Sequence, residues 1–131
     1  MPTLRKTGQR AGGSSEAGMV TAETAVVLPV LLIVLAGAVA AVTVVGAQLR
    51  CVDAAREGAR AAARGEPVAV VEALVTRAAP DGATTAVSLR AEEARVEVSA
   101  RIAPLGPVPL RITVAAEAVA LREPGARREP G

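Results

Sequence analysis

The strongest pattern in the chain is a run without charge, from Thr24 to Leu49, bounded by Glu23 and Arg50. Its centre, Ala25 to Ala47, consists of aliphatic residues and glycine interrupted only by Pro29 and Thr43. About 23 residues at ~1.5 Å each reach ~34 Å, enough for a hydrocarbon layer of ~30 Å. The run therefore predicts a membrane-spanning helix. A buried helix of a soluble protein is the first competing reading, but the rest of the chain is too short and too polar to surround it. A cleaved signal peptide, with Ala38-Val39-Ala40 as its small-residue site, is the second. Against it, the apolar run continues through Val42, Val44 and Val45, past the roughly 7 to 15 residues usual for such a segment. A lipoprotein anchor at Cys51 is disfavoured because Arg50 stands where a small residue is needed.

Past the span the pattern changes twice. From Gln48 to Arg64 charges return at Arg50, Asp53, Arg56, Glu57, Arg60 and Arg64, three or four apart, which continues the helix with a charged stripe. The other stripe, Val52, Ala55, Ala59 and Ala62 or Ala63, is small and apolar. Such spacing lets a neighbouring helix approach closely, and codon usage with helix propensity accounts for it equally well. Gly65-Glu66-Pro67 breaks the helix, glycine suiting a left-handed cap and proline the first turn of the next helix. A short second helix follows, with Val68, Val71, Leu74, Val75 and Ala78 on its apolar face, closed by Pro80-Asp81-Gly82. The period then becomes two: Val96, Val98, Ala100 and Ile102 alternate with Arg95, Glu97, Ser99 and Arg101 as a half-buried strand. Thr84 to Arg90 and Arg111 to Leu121 read as two more strands, and Pro104, Pro107 and Pro109 keep the segment between the last two out of a central strand.

These elements predict an α+β chain with a long N-terminal transmembrane helix extending beyond the membrane, a short second helix, and a small antiparallel sheet of about three strands. Its divisions fall at 1–18, a polar leader read as unfolded; 19–49, the membrane helix; 50–65, its membrane-proximal extension; 66–122, a small α+β domain; and 123–131, a charged, Pro/Gly-rich tail read as disordered. A folded region of about 55 residues with a purely aliphatic core is marginal unaided, so cover from the membrane-proximal helix or from a partner subunit is predicted.

Composition narrows the chemistry. Of 131 residues, 51% are hydrophobic, yet none is Phe, Tyr, Trp or His, and there is one cysteine. Catalytic triads and metal centres that need histidine are thereby excluded, and Cys51 alone makes neither an intramolecular disulfide nor a four-thiolate zinc site. Acidic residues are scattered and no Gly-rich phosphate loop follows a strand, so no catalytic, cofactor or metal set and no small-molecule substrate is predicted. Modules that stack nucleic-acid bases on aromatic rings are absent, and the net charge of +2 is spread along the chain rather than gathered in one patch, which argues against nucleic acid. Richness in Ala, Arg, Val, Gly and Pro, with lysine only at Lys6, also follows from a GC-rich genome.

The junction between leader and span carries the most specific signal: Gly18-Met19-Val20-Thr21-Ala22-Glu23, then apolar residues. It resembles the processing site of type IV prepilins. The resemblance implies that a membrane aspartic peptidase cuts after Gly18, making Met19 the first residue, and that Glu23, fifth in the mature chain, pairs with the free amine of an adjacent subunit. The chain further resembles the TadE-like proteins of tight-adherence (Flp) pilus systems. This likeness rests on Gly18 to Glu23, on the proline-bearing Val27-Leu28-Pro29-Val30-Leu31-Leu32, and on Asp53-Ala54-Ala55-Arg56-Glu57-Gly58-Ala59-Arg60-Ala61-Ala62-Ala63. It implies a non-enzymatic minor pilin or pseudopilin that meets the membrane, a prepilin peptidase, other pilin-like subunits and pilus assembly proteins. It also implies a cytoplasmic leader and an extracytoplasmic C-terminal domain, an orientation that basic residues on both sides of the span leave open.

Each of these residues also has a plainer reading. Glu23 is favoured at the start of any helix by the macrodipole, Gly18 is also an ordinary linker residue, and Pro29 bends the span by removing one backbone hydrogen bond near Ala25. Cys51 either cross-links two subunits just outside the membrane or is an inert small side chain. The alternative to a pilin is a single-pass membrane interaction protein that is neither processed nor assembled.

Overall fold

In the computed structural model, Thr3 and residues 13–122 are described. The expected tail at 123–131 and most of the expected leader lie outside them. The chain divides into two units, Met1–Gly37 and Ala38–Gly131. One helix, α1 (Gly13–Ala63), contributes to both. It is followed by α2 (Val68–Ala78) and strands β1 (Thr84–Leu89), β2 (Glu93–Ile102) and β3 (Ile112–Leu121). This is the α+β architecture that the periodicity predicts.

In the first unit the described residues from Gly13 onward are helical. The helix therefore begins five residues before Gly18, and the expectation of an unfolded leader through residue 18 is corrected for Gly13–Gly18. Gly12-Gly13-Ser14-Ser15 looks like a linker by composition, yet Glu16 in the first turn of α1 suits the helix dipole. The Thr21 hydroxyl donates to the Ala17 carbonyl at 2.8 Å and that of Thr24 to the Val20 carbonyl at 2.9 Å. Thr43, in the second unit, does the same to Val39 at 2.8 Å. Each hydroxyl is thus satisfied within its own helix, as an apolar surrounding requires. Leu28, Leu32 and Ile33 are 53%, 64% and 71% exposed, so nothing among the described residues covers them. Among the described residues α1 is the helix long and apolar enough to cross a membrane.

In the second unit, α1 ends in a glycine cap. Gly65 takes φ 86°, its N–H donates to the Ala62 carbonyl at 3.1 Å, and that of Glu66 donates to Ala61 at 3.2 Å. This pairing satisfies carbonyls that a helix end otherwise leaves open. Pro67 precedes α2 as its N-cap residue, one position before the first turn expected for it, and its carbonyl accepts from Val70 and Val71 at 2.9 and 3.0 Å. The strands form one antiparallel sheet in the order β1-β2-β3, with Val96 opposite both Val87 and Ala118. Ala94, Val96, Val98 and Ala100 of β2 are buried, while Glu97 and Arg101 between them are exposed.

The core joins these strand residues to Val71 and Val75 of α2, Val114 of β3, and Ala47, Cys51, Ala54, Ala55, Ala59, Ala61, Ala62 and Ala63 of α1. The small stripe on the membrane-proximal helix is therefore packed within its own chain. It supplies the cover that the small sheet requires, and it is wider than the sequence spacing predicts, with Cys51 and Gly58 inside it and Val52 only half-buried. Two side chains of α1 reinforce the seam. Gln48 Nε2 donates to the Ala115 carbonyl at 2.7 Å, and Arg50 Nη2 donates to the Ala79 carbonyl at 2.9 Å.

Candidate processing and assembly site

Gly18, Met19 and Glu23 lie within two turns of α1. A side chain at position 18 would meet nothing within 4 Å, so the peptide bond to Met19 is sterically open along this face. Glycine also weakens a helix by ~1 kcal/mol relative to alanine, which makes the turn at Gly18 easier to open than its neighbours. The Thr21–Ala17 hydrogen bond spans the Gly18–Met19 bond, so cutting there requires this turn to unwind and that contact to break. Met19 is 70% exposed and Glu23 is exposed. The two are four residues apart and share a helix face. Cleavage after Gly18 would therefore create an amine one turn from the Glu23 carboxylate of the same chain.

Pro29 sits inside α1, where its missing N–H leaves the Ala25 carbonyl without its usual donor. Cys51 belongs to the core of the second unit, with 0% exposure, and is free. Burial raises its pKa above the ordinary value, the nearby Arg50 guanidinium acting more weakly in the opposite sense. An intermolecular cross-link requires an accessible sulfur with a partner at bonding distance. Of the two readings of Cys51, burial of the free thiol favours the inert small side chain over the intermolecular cross-link.

Three residues absent from the sequence-based set matter to this geometry. Gln48 and Arg50 tie α1 to β3 and to the end of α2, and Gly58 lets α1 approach α2 and β2. Gly58 alone carried a signal, being a helix-weakening residue among alanines. Among the described residues no group of three or more metal-ligating side chains is brought together.

A family model described as TadE-like protein matches residues 18–60, starting at the glycine of the open turn. A Mycobacterium tuberculosis (strain ATCC 25618 / H37Rv) protein named "Apoptosis inhibitor Rv3655c" is 37% identical over 103 residues, covering 79% of this chain and 78% of that protein. The chain belongs to the TadE-like family. No solved structure matches it significantly. TadE-like proteins are structural proteins associated with the tight-adherence pilus, and the single apolar helix found here fits a single-pass membrane member of that system. The name of the mycobacterial relative describes that protein and adds no residue-level role to the site.

Proposed function

We propose that this TadE-like protein is a minor pilin or pseudopilin, cut after Gly18 by a prepilin peptidase and assembled with other pilin-like subunits of a tight-adherence pilus or related secretion apparatus. The observation that carries this reading is that the family match begins at Gly18 and runs through the exposed apolar helix to Arg60. The leader stays cytoplasmic and the α+β unit lies outside the membrane. A span that the described residues leave uncovered enters the bilayer first and then packs beside the spans of other subunits. Glu23 neutralises the new amine of a neighbour's Met19 in a poorly hydrated setting, where a lone carboxylate is costly. Pro29 loosens the helix next to this contact.

N-terminal sequencing with intact-mass measurement on protein from native-host envelopes tests the reading. A mature chain starting at Met19 is expected. A start at Ala41 would establish a signal peptide instead. An intact Met1 beside an active prepilin peptidase would leave a static single-pass interaction protein.

A further inference from the structure

Three contacts fix the direction in which the sheet runs along α1. Gln48 donates to the Ala115 carbonyl, Gly58 lies against Val96, which pairs with Ala118, and Arg60 lines one groove with Ala120. Moving along α1 away from the charge-free run thus moves up β3 from Ala115 to Ala120. The other end of the β2–β3 hairpin, where Ile102 pairs with Ile112, therefore points back toward the span. From Ala115 to Ile112 a strand falls by about 10 Å, the rise of roughly six or seven helical residues, which brings Ile112 to about the level of Val42. Burial on α1 agrees. Ala47 is buried and Val44 and Ala40, on the same face, are half-buried, whereas Val39, Val42 and Val45 are exposed.

The connection beyond that pair, residues 103–110, reads Ala-Pro-Leu-Gly-Pro-Val-Pro-Leu and carries no charge. Its second half is exposed, with Val108 at 48% and Leu110 at 44%. Most of its backbone is ready to leave water. Pro104, Pro107 and Pro109 have no N–H to desolvate, and the N–H groups of Gly106, Val108 and Leu110 donate within the loop to the carbonyls of Ala103, Leu105 and Val108 at 3.3, 3.3 and 2.8 Å. Arg101 and Arg111 flank the loop and are exposed. The ion pairs among the described residues are those of Arg95, so neither flanking guanidinium is neutralised by a carboxylate.

We propose that residues 103–110 dip into the lipid surface from which α1 emerges, with Val108 and Leu110 at the boundary of headgroups and acyl chains and with Arg101 and Arg111 on lipid phosphates. Apolar side chains gain from burial at that depth, and long cationic side chains beside them reach back to the headgroups. The fold itself supplies the occupant: the loop hangs at a level of α1 that belongs to the charge-free run, so the bilayer that takes the span meets the loop as well. This second foothold beside α1 limits how far the α+β unit can tilt or turn about the helix. The proposal rests on the membrane-inserted reading and does not require cleavage at Gly18.

Fluorescence depth measurement on the full chain, reconstituted in vesicles of phosphatidylglycerol and phosphatidylcholine, tests it. The native thiol is buried, so a polarity-sensitive dye can be attached at Val108→Cys, at Ala91→Cys in the exposed turn at the far end of the sheet, or at Val39→Cys in the span. The dye at residue 108 should emit to the blue of the dye at residue 91, be quenched several-fold less by iodide, and be quenched by lipids spin-labelled near the headgroup. Adding Arg101→Gln and Arg111→Gln should weaken that lipid quenching at residue 108 and leave residue 39 unchanged; an unchanged signal at residue 108 would overturn the pairing of the arginines with phosphate. The dye at residue 39 reads insertion of the span separately. Lipid quenching there, with a water-exposed dye at residue 108, would overturn the loop's insertion alone. Protection of residue 108 from iodide without quenching by spin-labelled lipid would put another protein chain on the loop and overturn it equally. A span dye that no lipid quenches would remove the inserted reading and this proposal with it.

Discussion

Gly58 of α1 lies directly beneath Val75 of α2: a Cβ built on residue 58 would collide with the Val75 Cγ2 methyl and stand 3.2 Å from Val96 Cγ1. Val75 and Val96 are both fully buried, and a β-branched side chain has little freedom to turn aside. Three elements of the second unit thus meet at a point where only hydrogen fits.

Gly58→Ala sets two effects against each other. Alanine improves helix propensity by ~1 kcal/mol, whereas overpacking a close-packed core costs about 1 to 3 kcal/mol. The two valines cannot yield cheaply, so the collision should win, with net destabilisation of about 1 kcal/mol and a fall in Tm of roughly 4 to 8 °C. Thermal unfolding of the detergent-solubilised chain would check this. Adding Val75→Ala to Gly58→Ala should recover part of the loss, giving a coupling term in a double-mutant cycle; additive effects would mean the two side chains do not compete for this space.

That contact marks the limit of what the sequence reveals. The period-two pattern of Val96, Val98 and Ala100 and the apolar spacing of Val71 and Val75 identify β2 and α2, because each face is decided by its own neighbours in sequence. The partner of the alanine stripe is not so decided. Ala55, Ala59 and Ala62 suit a second subunit as well as the chain's own sheet, and only the folded arrangement assigns them to the latter. The start of α1 at Gly13 was hidden for a related reason: glycine and serine are poor helix formers, but here they precede a long helix that propagates through them. Of the candidate site, Gly18, Met19 and Glu23 are proposed by spacing and resemblance alone, whereas the burial of Cys51 depends on a tertiary contact.

Gly18 variants should separate steric access from helix strength at the processing site. Gly18→Ala places a methyl in open space but strengthens the turn by ~1 kcal/mol, so slower, incomplete cutting is expected. Gly18→Leu adds bulk at the scissile bond and should abolish it. Immunoblots of whole cells would resolve precursor from mature chain. Full cutting of Gly18→Leu would remove Gly18 from the processing site.

Cys51 should behave as a buried thiol. Its pKa is raised from 9.0, first by desolvation, with Arg50 opposing, and the thiolate is the reactive form. Alkylation at pH 8 should therefore be slow in the folded chain and fast after denaturation, and non-reducing electrophoresis should show monomer. The sign for stability follows from the proton's tighter hold in the folded state. The contribution is fully present below 9.0 and is lost as pH rises through the elevated folded value. Cys51→Ser buries a more polar group whose hydroxyl can donate to the carbonyl of Ala47 one turn back; it should cost about 1 kcal/mol, the low end for a buried hydroxyl, and remove the alkaline part of this dependence. Rapid alkylation of the native chain would place the sulfur at the surface.

Glu23 separates an assembling subunit from an inert anchor. If cleavage at Gly18 frees an amine at Met19, a neighbour's Glu23 relieves an unpaired charge worth about 2 to 4 kcal/mol in a poorly hydrated setting. Glu23→Gln keeps the shape of the side chain and removes its charge, so membrane insertion and abundance should stay near wild type. Recovery in the sheared surface fraction, or cross-linking to other pilin-like subunits, should fall. Glu23→Asp should restore part of it, because the charge remains on a shorter side chain. The own-chain pairing also allowed by the spacing of Met19 and Glu23 makes a different prediction: mixing wild-type and Glu23→Gln chains would then leave each to assemble according to its own residue 23. In the neighbour pairing, wild-type chains supply carboxylates to variant chains, and mixed cells should recover variant protein in the surface fraction. Variant chains that assemble as well alone as mixed would reduce Glu23 to a residue that favours the start of the helix.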